Sequence, residues 1–250
     1  MSQTHTNITP STFVLVHGAW HGGWCWSRVA ERLRAQGHRV YTPTLTGLGE
    51  RHHLLHDGIT LHTFIDDVVN VLTFEALEDV VLVGHSFGGV VITGVADRVP
   101  ERLRRLIYLD GFLLENGVST FDTLPPDVVE KIRAKSQPPG NGAAAAAIPT
   151  PQARHLGLSE TSDLAFVEGR LTPQPLGSYE TALALKGPIG NGLPCTYLHC
   201  TSPSYGPVEG SRAWVKQQGT WQWGEVAAGH DAMVSHPDAV AEALTAHGGR

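Results

Sequence analysis

Gly84-His85-Ser86-Phe87-Gly88 sets a serine between two glycines in the pattern G-x-S-x-G. The run Asp79-Val80-Val81-Leu82-Val83 leads into it, and Val90, Val91, Ile92 and Val95 lead out. A buried strand, a tight turn and a helix in that order hold the turn's side chain out at the carboxyl edge of a sheet. The turn forces Ser86 into a strained backbone conformation, and the glycines on either side let neighbouring chain approach without a Cβ clash. A serine hydroxyl is a weak nucleophile at neutral pH and needs an adjacent base. Fourteen histidines compete for that role. His230 is set apart by its place in Gly229-His230-Asp231-Ala232-Met233, after the last strand-like run and before the last helix. His52, His53, His56 and His62 gather in or near a polar loop without metal-ligand spacing, so no metal is expected. The chemistry these residues predict is acyl transfer, with an oxyanion held by backbone N–H groups. Phe87, at the positive end of the following helix, supplies one. Ala19 supplies the other, in a loop where Gly18 leaves room for a carbonyl oxygen. Trp20 and His85 join Gly18 as expected substrate-binding residues. His17 and His21 flank the loop and are expected to shape it rather than react.

The elements that must position these groups alternate along the chain. Phe13-Val14-Leu15-Val16 reads as a parallel strand buried on both faces. Trp26, Val29, Ala30 and Leu33 then follow helical spacing until Gly37. His38 to Thr42 predicts a second strand. Leu61, Phe64, Ile65, Val68, Val69 and Leu72 form one apolar helical stripe. After the elbow helix, Leu106 to Leu109 predicts a fourth strand ending at Asp110. The rhythm then breaks until about Leu193, with Pro125-Pro126, Pro138-Pro139-Gly140-Asn141-Gly142 and a five-alanine tract from Ala143 to Ala147. A segment this long between core strands predicts an inserted cap, about 111–190. Helix and loop both stay open for the alanine tract. A strand over Thr196 to His199, a helix over Val208 to Gln217, a strand over Trp221 to Val226 and a helix from Pro237 complete the pattern. The alternation predicts an α/β fold: a mostly parallel sheet of about six strands flanked by helices, in one domain over 1–250.

Composition narrows the function. The 250 residues, 41% of them hydrophobic, suffice for one sizeable core. A formal charge of −6, with Lys and Arg scattered, gives no footprint for nucleic acid or an anionic membrane. Cys25, Cys195 and Cys200 have neither disulfide-framework nor metal-ligand spacing. The polar start, Met1 to Thr12, has no apolar signal region, and no run approaches the roughly 18 apolar residues of a membrane span. A soluble cytoplasmic protein is expected. Oligomeric state is not readable. Phe112, Phe121, Leu124, Phe166 and Tyr179 are candidates to wall an apolar pocket, with plain core packing the open alternative for each.

The stretch Phe13-Val14-Leu15-Val16-His17-Gly18-Ala19-Trp20-His21-Gly22-Gly23-Trp24 resembles the opening of plant methyl esterases and hydroxynitrile lyases of the α/β-hydrolase superfamily. Gly84 to Gly89 and Gly229 to Met233 match that group too. Tyr41-Thr42-Pro43-Thr44-Leu45-Thr46-Gly47-Leu48-Gly49-Glu50-Arg51 and Tyr108-Leu109-Asp110 are closer still to bacterial esterases of the carbendazim-hydrolysing kind. The likeness covers most of the chain outside about 120–190. It implies the α/β-hydrolase order, nucleophile first and histidine last. It also implies cofactor-free hydrolysis of a small, neutral ester, carbamate or amide. The lyases carry Thr where Gly18 stands and Lys where Asp231 stands, which favours hydrolysis over cyanohydrin cleavage. A lyase-like or other non-hydrolytic enzyme, or a ligand-binding receptor, is the alternative on this scaffold.

The plant enzymes of this group carry their triad acid after the strand that corresponds to Thr196–Cys200. Here that stretch reads Thr201-Ser202-Pro203-Ser204, without a carboxylate. An acid is still needed to orient His230 and stabilise its cation. Asp110 is the choice, because it ends the strand beside the nucleophile strand. Glu209 and Asp231 are its rivals.

Overall fold

A computed structural model of the chain describes residues 10–136 and 145–248. The polar start through Thr9, the run Pro138 to Gly142, and Ala143 and Ala144 lie outside the described residues. Strands β1 (Thr12–Val16) and β2 (Arg39–Tyr41) flank helix α1 (Ser27–Ala35). Helix α2 (Leu61–Phe74) leads to β3 (Val80–His85), helix α3 (Gly88–Arg98) and β4 (Leu103–Leu109). The chain then leaves the sheet and forms α4 (Pro126–Lys135), β5 (Ala147–Ile148), α5 (Thr161–Glu168), β6 (Gln174–Pro175) and α6 (Leu176–Glu180). It returns through β7 (Cys195–Cys200), α7 (Glu209–Val215), β8 (Gln222–Val226), α8 (Ala232–Ser235) and α9 (Pro237–Gly248).

Six strands pair in parallel in the order β2-β1-β3-β4-β7-β8. Alternation along each strand divides the core between two faces. Val14, Val16, Val80, Leu82, Leu106 and Tyr108 pack toward α2 and α3, whereas Phe13, Leu15, Val81, Val83, Ile107 and Leu109 pack toward α1 and α9. The α2 stripe buries Leu61, Phe64, Ile65, Val68 and Leu72 against the sheet. Each such side chain contributes about 1.5–3 kcal/mol. β3 is buried at all six positions, as a central parallel strand must be.

The sheet runs from β1 to β2 on one side and then crosses to β3 on the other, so the topological switch point lies between β1 and β3. Ligand sites of open α/β sheets form at that crevice, beyond the carboxyl ends of the strands. The second strand is shorter than the expected His38–Thr42: the His38 N–H donates to Leu33 O in α1 at 3.1 Å, and its Nδ1 accepts the Ser11 N–H at 3.1 Å. The alanine tract ends in a short antiparallel pair: Ala147 and Ile148 join Gln174 and Pro175. No helix among the described residues is long and apolar enough to cross a membrane.

Candidate active site

Ser86 follows β3 with φ +50°, in the left-handed region that a side chain populates only at a cost of about 1–3 kcal/mol. Neighbouring hydrogen bonds hold it there. Its N–H donates to Leu109 O at 3.2 Å, and its carbonyl accepts from Gly89 at 2.9 Å and Phe112 at 2.8 Å. A Cβ on Gly84 would sit 2.5 Å from Gly88 O, so the elbow closes only because glycine stands there. Phe87 takes helical dihedrals at the N-cap of α3, which puts its N–H at the positive end of that helix.

His85 pairs with Leu109 in the β3–β4 register, so Asp110 emerges beside Ser86. Its φ of +43° turns the carboxylate inward, where it is fully buried. Asp110 Oδ2 lies 2.7 Å from His230 Nδ1. Since a carboxylate accepts, Nδ1 carries a proton, which leaves Nε2 as the nitrogen that can act as base. Asp110 Oδ1 also faces Arg212 Nη1 at 3.4 Å. That guanidinium is 3% exposed and is held from outside by Glu209, at 2.6 Å and 3.1 Å. Tyr205 stacks on the His230 ring with centroids 3.8 Å apart, and His85 lies on it at 4.6 Å.

The two rival carboxylates are otherwise engaged. Glu209 pairs with Arg212, and Asp231 Oδ2 lies 3.1 Å from His21 Nε2. Arg212 and Tyr205 are absent from the expectations above. Arg212 falls on the buried face Val208, Ser211, Arg212, Val215 at helical spacing, a signal that marks it as inward-facing. Nothing in the sequence singles out Tyr205.

Gly18 lies against the elbow: a Cβ there would meet Ser86 Cβ at 2.9 Å and His85 Nδ1 at 3.0 Å. The next peptide unit is held at both ends. His21 Nδ1 lies 2.7 Å from Ala19 O, and the Trp20 N–H donates to Gln174 Oε1 at 3.0 Å. The Trp20 N–H is therefore committed to Gln174. His17 is neutral. Burial, with a smaller effect from His21, pushes its pKa down to about 3 despite the Gly18 hydrogen bond. It bridges Gly18 O at 2.8 Å and the Leu45 N–H at 3.0 Å.

A cavity of about 240 Å³ opens on Ser86. Trp20, Phe87, Phe112, Leu124, Ile132, Tyr179 and Tyr205 are among its walls. Four residues expected to bind substrate or wall the pocket do not line the cavity. His85 does not bind substrate from the cavity wall; it is buried beneath the elbow, with Nε2 3.0 Å from His230 O. Phe166 is not a wall either, because it packs edge-on to Trp24 and under Arg28 and Arg170. Phe121 stands behind the wall, edge-on to Tyr179. Gly18 shapes the site through its contact with Ser86 rather than by lining the cavity. Among the described residues no cluster of three or more His, Cys, Asp or Glu could hold a metal ion.

Known proteins carry the same scaffold. The carbendazim hydrolyzing esterase of Nocardioides sp. (strain SG-4G) is 40% identical over 248 residues, covering 95% of this chain and 100% of that protein. Methylesterase 2 of Arabidopsis thaliana is 33% identical over 179 residues, 70% of this chain and 65% of its own length. A solved extracellular alpha/beta-hydrolase from a Paenibacillus species matches with a TM-score of 0.81 at 27% identity, over 96% of this chain and 100% of that one. The alpha/beta hydrolase family pattern itself runs from residue 13 to residue 243, and with the parallel sheet order and the serine elbow this makes the chain a member of the alpha/beta hydrolase family.

Proposed function

We propose that the chain is a serine hydrolase that cleaves a small, neutral carboxylic ester, or a carbamate, through an acyl-enzyme on Ser86. The observation that carries this reading is the cavity over Ser86, whose lining among the described residues includes no Asp, Glu, Lys, Arg or His. A charged substrate group would be desolvated there without a partner, at a cost of several kcal/mol. An uncharged, largely apolar substrate fits. Ester cleavage is also what the relatives' names, esterase and methylesterase, describe.

Ser86 Oγ attacks the carbonyl carbon as its proton passes to His230 Nε2, and Asp110 stabilises the imidazolium that forms. The Phe87 and Ala19 N–H groups take the oxyanion, each donor being worth about 2.7–4 kcal/mol of barrier. His230 returns the proton to the leaving alcohol or amine. Water, deprotonated by the same imidazole, then attacks the acyl-enzyme, and collapse of the intermediate releases the acid as His230 returns the proton to Ser86 Oγ. The segment 111–190 serves as the cap: Leu124, Val128, Ile132, Ile148 and Tyr179 line the cavity from it. No cofactor takes part. The lyase reading is disfavoured, because Asp231 stands where those enzymes carry Lys and is paired with His21.

A fluorophosphonate probe and a panel of p-nitrophenyl esters test the reading. The wild-type chain should label at Ser86 and turn over short esters, and Ser86→Ala should do neither while folding normally. Wild-type hydrolysis by Ser86→Ala would overturn the assignment.

A further inference from the structure

We propose that His21 and Asp231 form a buried imidazolium–carboxylate pair that positions the oxyanion loop against the loop carrying the base. The inference rests on reading Ser86 as the nucleophile of a hydrolase. His21 Nδ1 faces Ala19 O at 2.7 Å and Nε2 faces Asp231 Oδ2 at 3.1 Å. Both facing atoms are oxygens, one a carbonyl and one a carboxylate, and both accept. An imidazole flanked by two acceptors satisfies both only when each nitrogen carries a proton. The ring and the carboxylate are each at most 1% exposed, so water cannot replace either bond. An unpaired charge at that depth would be strongly destabilising, whereas a matched pair is tolerated.

The pair joins two peptide units that the reaction depends on. On one side, the Ala19–Trp20 unit is fixed by His21 at its carbonyl and by Gln174 at its N–H. The Ala19 N–H lies one unit earlier, in the Gly18–Ala19 peptide whose carbonyl His17 Nδ1 holds at 2.8 Å, so His21 anchors the oxyanion loop from the unit that follows. On the other side, the His230–Asp231 unit is fixed by His85 Nε2 at its carbonyl, 3.0 Å away, and by Leu156 O at its N–H, 2.9 Å away. Asp231 thus hangs from the unit that aims the base, and His21 from the loop that aims the oxyanion donor. His21 and Asp231 do not line the cavity. They are positioning residues, and their loss acts on the chemical step rather than on substrate binding. Burial would lower the His21 pKa, and the charge and hydrogen bond of Asp231 more than reverse this, in keeping with a charged ring.

Two measurements test the pair. In nitrogen-15 NMR of the wild-type protein at neutral pH, His21 should show both ring nitrogens protonated. A neutral His21 overturns the proposal whatever the variants do. Kinetics of His21→Gln, Asp231→Asn and the double variant provide the second arm. Each single change should lower kcat roughly 10- to 100-fold, with KM held within about threefold. The double variant should lose little more than either single one, as expected for residues that act together. Wild-type kcat, a loss confined to KM, or additive losses would each overturn it. If wild-type protein neither labels with fluorophosphonate nor cleaves esters, the hydrolase reading fails, and the NMR result still decides the pair.

Discussion

His230 Nδ1 and Asp110 Oδ2 lie 2.7 Å apart although 120 positions separate the two residues, and both side chains are buried. Two strand ends create this contact. Asp110 leaves β4 one residue past the position paired with His85, and His230 returns in the loop after β8. If this carboxylate orients the base, Asp110→Asn should lower kcat about 10⁴-fold, because the amide favours the wrong tautomer without altering shape. Glu209→Gln, on an exposed carboxylate, should change kcat by no more than about threefold. Steady-state kinetics on an ester separates the two. Equal losses would move the acid's role away from Asp110.

Gly18→Ala tests how closely the oxyanion loop is fitted to the elbow. The new Cβ would lie 2.9 Å from Ser86 Cβ and 3.3 Å from His85 O, so either the loop or the elbow must give way. A shift near 1 Å at reacting groups costs about 100-fold in rate. The expected result is a loss of that order in kcat/KM with a folded protein by circular dichroism. Unchanged kinetics would mean that the loop is free to move.

The parts of this arrangement that could be read from the sequence are the local ones. The elbow declares itself through Val80 to Gly88, because a buried strand, a turn and a helix must be adjacent in the chain. Asp110 is singled out only by combining two things, its place at the end of the strand beside the nucleophile strand and the missing carboxylate where the plant enzymes carry their acid, and Glu209 and Asp231 stay as rivals at that level. What escaped depends on chain segments that meet only after folding. Tyr205 covers His230 from a loop whose composition marks nothing, and His21 meets Asp231 across 210 positions. His85 departs from its expected place for a related reason. Its neighbour Ser86 turns outward at φ +50°, and strand alternation sends His85 the other way, beneath the site.

Tyr205 both walls the cavity and stacks on His230, with ring planes 19° apart. Its hydroxyl is pushed up to about 12 by burial and by the charges of Asp231 and Asp110, so it stays neutral over ordinary assay conditions. Tyr205→Phe should therefore leave both kcat and the pH–rate profile essentially unchanged. Tyr205→Ala removes an aromatic contact worth about 0.5–1.5 kcal/mol and frees the imidazole to tilt, so kcat should fall roughly tenfold. A large effect of Tyr205→Phe would assign a role to the hydroxyl instead.

The charge state of the His21–Asp231 pair also predicts how stability varies with pH. For His21, burial lowers the pKa, but Asp231 and the Ala19 carbonyl outweigh it, leaving the folded value above the ordinary 6.5. For Asp231, burial raises the pKa, but His21, with smaller effects of His85 and His230, outweighs it, leaving the folded value below 3.8. His85 stays neutral in the folded state, because burial and His230 hold its pKa well below 6.5. Burial and Asp231 push the Cys25 thiol well above 9.0, so it adds no charge nearby in the neutral range. A raised histidine pKa stabilises the fold fully below 6.5, and that contribution fades as pH climbs through the folded value. A lowered carboxylate pKa stabilises above 3.8, and that contribution fades as pH falls through the folded value. The two windows overlap between 3.8 and 6.5. Urea unfolding of the wild-type protein and of His21→Gln should therefore differ more at about pH 5.5 than at about pH 9. A difference that is constant with pH, or larger in alkali, would mean that His21 is not charged in the folded protein.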